Sequence, residues 1–128
     1  MENLQASEAG RRVIAVVDDM FFAARIRGTA EALGVELKLA RTVDAALELA
    51  RAVETRLIIA DLHASGCDPF ELAARLKSDE DLKAIPLLGF FSHVQTALQK
   101  RAVEAGYDRI LPRSSFSKNL PQILVGDF

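Results

Sequence analysis

Short apolar runs alternate along this chain with longer stretches in which apolar residues recur at helical spacing. Val13 to Val17 (VIAVV) and Leu57 to Ala60 (LIIA) show almost no polar alternation and are too short for buried helices. Each run therefore predicts a central strand that is covered on both faces. Val35 to Leu39 alternates apolar and polar residues, which predicts a strand nearer the edge. Two more strands are predicted at Leu87–Phe91 and Arg109–Pro112.

Helical stretches separate these strands. The first apolar stripe comprises Phe21, Phe22, Ile26, Ala30 and Leu33. It stops at Gly34, a residue type that commonly follows the last turn of a helix. Thr42 is a typical N-cap for a second helix. The segment Asp68-Pro69-Phe70-Glu71 combines an N-cap acid, a proline at the first helical position and a glutamate at N3, so it predicts the start of a third.

The second half of the chain continues the alternation. Ser92-His93-Val94-Gln95 has the spacing of a capping box and predicts a fourth helix that runs to Gly106. A final helix is predicted around Leu120 to Val125. Strict alternation of five strands and five helices predicts an α/β fold, a three-layer doubly wound sandwich around a five-stranded parallel sheet. Residues 1–10 are predicted to be a tail that precedes one domain at residues 11–128.

Both central strands run directly into acidic residues. Asp18 and Asp19 follow the first strand, and Asp61 follows the third. In an open parallel sheet, ligands bind outside the carboxyl ends of the strands, so the three carboxylates are expected to share one pocket. Carboxylates brought together raise one another's pKa unless a cation neutralises them. A hard ion such as Mg²⁺ prefers oxygen ligands of this kind, and the pattern therefore predicts a magnesium site.

Composition argues against several classes of protein. The chain carries 16 Lys and Arg against 18 Asp and Glu, a net charge of -2, and no basic run, which argues against binding to nucleic acid. No apolar run approaches the roughly 18 residues of a membrane span. The first ten residues lack the basic and apolar regions of a secretory signal. We therefore expect a cytoplasmic protein that binds neither nucleic acid nor a membrane.

Cys67 is the one cysteine of the chain, so an intramolecular disulfide is impossible, and with two histidines a thiolate zinc site is not expected. Cys67 and His63 lie close to Asp61 in the sequence, which raises the hypothesis of a thiol hydrolase. A thiol nucleophile needs a positioned base and a lowered pKa, and the sequence indicates neither. We therefore interpret Cys67 as a small, partly buried loop residue.

The order and spacing of these features resemble the receiver domain of bacterial two-component response regulators, over nearly everything after residue 10. Asp18-Asp19 match the acidic pair that the family carries after strand one, and Asp61 matches its phosphoacceptor. The segment 61–72 (DLHASGCDPFEL) resembles the family's D-(L/x)-x-(M/L)-P-x-x-(D/N)-G-x-x-(L/F) stretch. The segment 104–108 (EAGYD) resembles its G-A-D motif. The resemblance implies a flavodoxin-like (βα)5 receiver fold and phosphorylation of Asp61.

The same resemblance implies a metal site and a set of partners. It assigns Mg²⁺ to the carboxylates of Asp18, Asp19 and Asp61 and to the backbone carbonyl of His63. A sensor histidine kinase or a phosphotransfer protein is expected to supply the phosphoryl group, and a separate effector protein on another chain to carry the output. A homodimer through the face of the fourth helix, the fifth strand and the final helix is a further expectation.

Four positions depart from the family pattern. Counted from Asp61, the switch Thr or Ser falls on Phe91, the switch Lys on Arg113 with Ser114 in place of Pro, and the switch aromatic on Ile110. Phe91 cannot hydrogen-bond a phosphoryl oxygen and is most simply a core residue. Arg113 keeps the positive charge but offers a planar fork. Ser92 replaces the missing hydroxyl if the strand end shifts by one residue, although an N-cap role also explains it.

Two functions therefore compete. The first is a single-domain response-regulator receiver that accepts a phosphoryl group on Asp61 with Mg²⁺, in phosphorelay signalling. The second is a receiver-like interaction module that keeps the fold and signals without phosphorylation. The complete set of three acids favours the first function, whereas Phe91, Ile110 and Arg113 favour the second. In both, the chain is a signalling protein rather than an enzyme.

Overall fold

Five parallel strands form one sheet in the computed structural model, which describes residues 12–126. The strands are β1 (Arg12–Val16), β2 (Leu37–Ala40), β3 (Thr55–Asp61), β4 (Leu87–Phe91) and β5 (Arg109–Pro112). They pair in the order β2-β1-β3-β4-β5, so β1, β3 and β4 lie inside the sheet and β2 is an edge strand, as its alternating sequence predicts. The predicted tail at residues 1–10 lies outside the described residues.

Helices cover both faces of the sheet. They are α1 (Met20–Leu33), α2 (Val43–Ala52), α3 (Pro69–Lys77), α4 (Thr96–Ala105), α5 (Arg113–Lys118) and α6 (Leu120–Leu124). Helices α2, α3 and α4 pack on one face, and α1, α5 and α6 pack on the other. None of the helices between residues 12 and 126 is long and apolar enough to cross a membrane.

These two layers explain the continuous apolar sequence of residues 13–16 in β1. Ile14 and Val16 face the core under α2, α3 and α4, while Val13 and Ala15 face the core under α1, α5 and α6. Every residue of β1 is buried. Because successive side chains of a strand point to opposite faces, a strand covered on both sides needs apolar residues at every position.

Local sequence signals set most of the helix ends. Gly34 ends α1 at φ 72° and Gly106 ends α4 at φ 115°, in the left-handed region where a Cβ atom is unfavourable. Thr42 Oγ1 accepts a hydrogen bond from the Ala45 N–H at 3.1 Å. Asp68 accepts hydrogen bonds from the first turn of α3, which begins at Pro69 as predicted. These helix ends are confirmed.

The capping box predicted at Ser92 is wrong. Helix α4 begins at Thr96, its N-cap residue is Gln95, and the Gln95 side chain makes no capping hydrogen bond. Ser92 is exposed. Since β4 ends at Phe91, residues 92–95 form the crossing from the sheet edge to the helical layer, and the first turn starts only after them.

Two other features differ from the sequence prediction. Helix α5 was not predicted, because Phe116 is its one buried residue and a single apolar position has no detectable period. Phe21 was assigned to the apolar stripe of α1 but is 91% exposed, whereas Phe22 and Ala23 are buried there. Phe21 lies in the first turn of α1, which follows β1, and is therefore beside the carboxyl edge of the sheet.

Candidate functional site

Asp61 is the last residue of β3, in the interior of the sheet, and is only 8% exposed. Its Oδ1 accepts a hydrogen bond from the His63 N–H at 2.9 Å. Among residues 12–126, no donor bonds the other oxygen, Oδ2, which keeps contact with solvent. Burial raises the pKa of the Asp61 carboxyl, and the His63 N–H and the positive charge of Arg113 partly offset that effect. Asp61 is thus a carboxylate with one oxygen fixed and the other free.

Asp18 lies in the loop between β1 and α1 and is bonded to the loop that follows β3. Its Oδ2 accepts hydrogen bonds from the Ser65 N–H at 2.6 Å, the Ser65 hydroxyl at 3.0 Å and the Gly66 N–H at 3.2 Å. These bonds, above all the one from the Ser65 N–H, lower the pKa of the Asp18 carboxyl. Asp18 therefore joins two loops of the candidate site.

Asp19 is the N-cap of α1. Its Oδ1 accepts hydrogen bonds from the N–H groups of Phe21 at 2.9 Å and Phe22 at 3.1 Å. Its Oδ2 lies 3.2 Å from Nη2 of Arg113. The Phe22 N–H and the Arg113 side chain are the main causes that hold the pKa of the Asp19 carboxyl below its usual range.

Arg113 is the first residue of α5, directly after β5, and the structure brings it to the predicted acids. Its guanidinium pairs with Asp19 and lies 3.9 Å from the centre of the Phe22 ring. A guanidinium over an aromatic face is attracted by the quadrupole of the ring. The planar group is therefore oriented by the Phe22 ring on one face and by Asp19 at its edge, and it has further N–H donors that Asp19 does not use.

The two other predicted switch residues do not reach Asp61. Phe91 is buried in the core under α2, α3 and α4, against which the partly buried Ile110 packs, and this agrees with the interpretation of Phe91 as a core residue. Ser92 is exposed, and within residues 12–126 its hydroxyl makes no hydrogen bond. Neither residue supplies a hydroxyl to the site in this arrangement.

The donors around Asp61 do not form a ready-made magnesium site. In the described part of the chain, no group of three or more His, Cys, Asp or Glu side chains is placed to hold a metal ion. Oδ2 of Asp18 is instead bonded to Ser65 and Gly66, and the two oxygens of Asp19 are bonded to the start of α1 and to Arg113. A hard cation on the bonded oxygens would compete with these partners, and Mg²⁺ on the acids and the His63 carbonyl stays a prediction.

Sequence reasoning missed the residues that bond to Asp18. Ser65 stands where the resembling family stretch has proline, and a proline has no N–H to donate. The serine in place of proline is the sequence signal that could have identified Ser65 as a backbone donor to Asp18. A Cβ atom on Gly66 would lie 3.2 Å from the Arg41 carbonyl oxygen, a close approach that favours glycine. Phe22 was identified as an apolar residue, but not as the support of Arg113.

Cys67 has no features of a nucleophile. The residue is buried, and burial together with nearby carboxylates raises the pKa of its thiol to about 11. The thiolate is therefore scarce at neutral pH. Both properties argue against the thiol-hydrolase hypothesis, and the loop residue that was interpreted as partly buried is fully buried.

Comparison with known proteins identifies the fold. No family model matches the sequence, and no curated protein matches it. The chemotaxis response regulator CheY4 of Vibrio cholerae superposes with a TM-score of 0.78 at 19% identity, over 93% of this chain and 99% of that one. A response regulator from Hahella chejuensis superposes with a TM-score of 0.79 at 20% identity, over 90% and 92%.

The phosphorylated cyanobacterial phytochrome response regulator RcpA is similar as well, with a TM-score of 0.75 at 22% identity, over 91% of this chain and 90% of that one. These likenesses show the fold. The chain has the flavodoxin-like fold of response-regulator receiver domains, and the predicted fold class is confirmed. The three-layer arrangement places Asp61 at the carboxyl edge of the sheet, where such folds bind ligands.

Proposed function

We propose that this chain is a receiver module in two-component signalling, in which Asp61 accepts a phosphoryl group from a histidine kinase or a phosphotransfer protein. The state of the Asp61 carboxylate supports the proposal. The His63 N–H fixes Oδ1 at 2.9 Å, while Oδ2 has no donor within residues 12–126 and meets solvent. An attacking carboxylate needs this combination of a fixed orientation and one free oxygen.

The proposed step is an in-line displacement at phosphorus. Asp61 Oδ2 forms a bond to phosphorus, and the P–N bond of the partner's phosphohistidine breaks. The electron pair stays on the departing imidazole nitrogen, which takes a proton from solvent, and an acyl phosphate remains on Asp61. Catalysis of such transfers depends mainly on positioning and on the neutralisation of the equatorial phosphoryl oxygens.

Arg113 is the cation that the chain itself places for this task. Its charge already acts on Asp61, and its fork can keep one N–H on Asp19 while others bond phosphoryl oxygens. The Phe22 ring below the guanidinium restricts its rotation. RcpA, one of the structurally similar proteins, is described as phosphorylated, which supports the same chemistry on this fold.

An exposed apolar surface lies next to the acids and suits a protein donor. Met20 and Phe21, in the first turn of α1, are 70% and 91% exposed. Two adjacent large apolar side chains that face solvent are typical of a contact with a partner. A donor that covers this turn brings its phosphohistidine close to Asp61, because Asp19 caps the same turn.

A second candidate function rests on other observations. Phe91 is buried where the family has a hydroxyl, and the partly buried Ile110 stands where the family has a switch aromatic. Asp18 and Asp19 are bonded to protein donors. These features favour a receiver-like module that binds a partner without phosphorylation. The two functions differ in one measurable property, the formation of an acyl phosphate.

Intact-mass spectrometry after incubation with acetyl phosphate, with and without Mg²⁺, separates the two functions. We expect the wild type to gain the mass of one phosphoryl group and Asp61→Asn to gain none. Asp79→Asn, which removes a carboxylate distant from the site, should gain it as the wild type does. An adduct that persists in Asp61→Asn places the acceptor elsewhere. A folded wild type without an adduct favours the interaction module.

A further inference from the structure

The two histidines of the chain lie against each other. His63 follows β3 and His93 follows β4, so 30 residues separate them, yet their ring centres are 5.7 Å apart with the planes at 72°. Both residues lie in loops at the carboxyl edge of the sheet, beside Asp61. The fold therefore brings every imidazole of the protein to one place.

His63 carries a buried nitrogen without a partner. Its Nε2 is shielded from solvent and makes no hydrogen bond to any group within residues 12–126. Nearly all buried polar atoms in folded proteins are bonded, and an exception calls for a bound water, an ion or another cause. The edge-to-face contact with His93 explains the packing of the rings, but a contact between N–H and a ring is a weak substitute for a hydrogen bond.

We propose that His63 and His93 together bind a borderline transition-metal ion such as Zn²⁺, Ni²⁺ or Cu²⁺. A metal–nitrogen distance of about 2.0–2.1 Å puts each ring centre roughly 3 Å from the ion, so two imidazoles on one ion have centres about 5–6 Å apart. The observed 5.7 Å agrees with that range. His93 is exposed, so its ring can turn a nitrogen toward Nε2 of His63 without disturbing the core.

The chemistry of this site differs from that of the acids. Imidazole nitrogens suit zinc, nickel and copper, whereas Mg²⁺ prefers carboxylates, carbonyls and water. In the described part of the chain, no third His, Cys, Asp or Glu completes the ligand set, so water fills the other positions. A site with two protein ligands and exchangeable water binds its metal ion reversibly, and the metal can enter and leave from solvent.

Bound metal would connect the loop after β3 to the loop after β4. The second loop, residues 92–95, has no regular structure and no hydrogen bond from Ser92 or His93 within the described residues. An ion on both imidazoles would hold this loop over the opening at Asp61 and restrict a partner's access. This inference does not depend on the phosphorylation of Asp61.

The test uses Cu²⁺ as the probe and the untagged chain, free of added histidines. Pulsed electron paramagnetic resonance detects the remote nitrogen of an imidazole bound to copper, and the chain has no imidazoles besides His63 and His93. We expect one tightly bound ion with two imidazole signals in the wild type. His63→Asn and His93→Asn should each leave one imidazole signal and weaken binding by at least about tenfold.

Two control variants separate this site from its surroundings. Ser92→Ala changes the same loop as His93, and Asp79→Asn removes a carboxylate distant from both loops; both variants should bind Cu²⁺ as the wild type does. Equal binding by the double variant His63→Asn/His93→Asn would overturn the proposal, as would a wild-type spectrum with fewer than two imidazoles. The wild-type spectrum decides the matter even if a variant fails to fold. Because nitrogen ligands bind Cu²⁺ more tightly than Zn²⁺, only a large excess of Zn²⁺ should displace the copper and remove its signal.

Discussion

Nη2 of Arg113 lies 3.2 Å from Oδ2 of Asp19, although 94 residues separate the two in the chain. The pair ties the start of α5 to the start of α1. An ion pair between partly exposed groups adds little stability, so this contact matters because it fixes the position of the Arg113 guanidinium. The pair holds the guanidinium beside the acids at the carboxyl edge of the sheet and over the ring of Phe22.

Phe22 continues this connection into the protein. Its ring meets that of Phe90 with centres 5.2 Å apart, and Phe90 stacks on Phe116 at 4.8 Å. We call Phe22, Phe90 and Phe116 the aromatic column. The column runs from beneath Arg113 into the core under α1, α5 and α6. The residues at the family's switch positions, Phe91 and Ile110, lie on the opposite face of the sheet.

A phosphoryl group or its mimic on Asp61 should therefore change the environment of the residues in the aromatic column. A ligand shifts an equilibrium only through contacts that differ between two states, and Arg113 provides such a contact, whereas Phe91 lacks the hydroxyl to do so. With beryllium fluoride as the acyl-phosphate mimic, we expect backbone NMR shifts at Phe22 and Phe116 that exceed those at Val103 on α4. Arg113→Gln should reduce them. Larger shifts across α4 and β5 would contradict this route.

Removal of Arg113 should increase the response to Mg²⁺. Arg113 occupies Asp19 Oδ2 and offsets the charge at Asp61, so Arg113→Gln removes a positive charge from both of these carboxylates. We expect Mg²⁺ to raise the melting temperature of this variant more than that of the wild type. Lys118→Gln removes one charge from the exposed end of the same helix and should respond as the wild type does. Equal responses in all three proteins would show that Arg113 does not compete with a metal.

The aromatic column should contribute strongly to stability, in contrast to the exposed ring beside it. Phe90 is fully buried between two other rings, so Phe90→Ala should lower the free energy of unfolding by about 3–5 kcal/mol. Phe21 is exposed, and Phe21→Ala should change it by no more than about 0.5 kcal/mol. Urea unfolding measures both. A mild effect of Phe90→Ala would mean that the column repacks.

Asp61 and Asp79 should affect stability with opposite signs. Burial raises the folded-state pKa of Asp61, so its ionised form costs stability at neutral pH, and Asp61→Asn should melt at a higher temperature than the wild type at pH 7. That advantage should shrink as the pH falls through the folded-state pKa, because the wild-type carboxyl then becomes neutral as well. The measurement is a series of melting curves in buffer with a chelator of divalent ions.

Asp79 serves as the control for this comparison. A hydrogen bond from Arg51 at 2.8 Å and the Asp81 N–H lower its pKa in the folded state. Its ionised form therefore stabilises the fold above the unfolded-state pKa, and the benefit is lost as the pH falls through the folded-state pKa. Asp79→Asn should melt below the wild type at pH 7, with a difference that narrows in acid. Effects of the same sign at both positions would refute the burial argument.

The sequence by itself determined all but one of the elements of this fold and the position of its acids. Strands covered on both faces need apolar residues throughout, and the helix ends at Gly34, Thr42 and Asp68 depend on contacts within a few residues. Such local patterns can be interpreted without a structure. The location of Asp61 at the carboxyl edge of β3 then follows from parallel topology.

The tertiary structure alone decided which groups these residues meet. The bonds of Asp18 to Ser65, the pair of Arg113 with Asp19, and the contact of His63 with His93 each join segments that lie far apart in the chain. Helix α5 likewise depends on the burial of Phe116 against Phe90. Loops carry no period, and their partners are set by the way the sheet and its two helical layers bring their ends together.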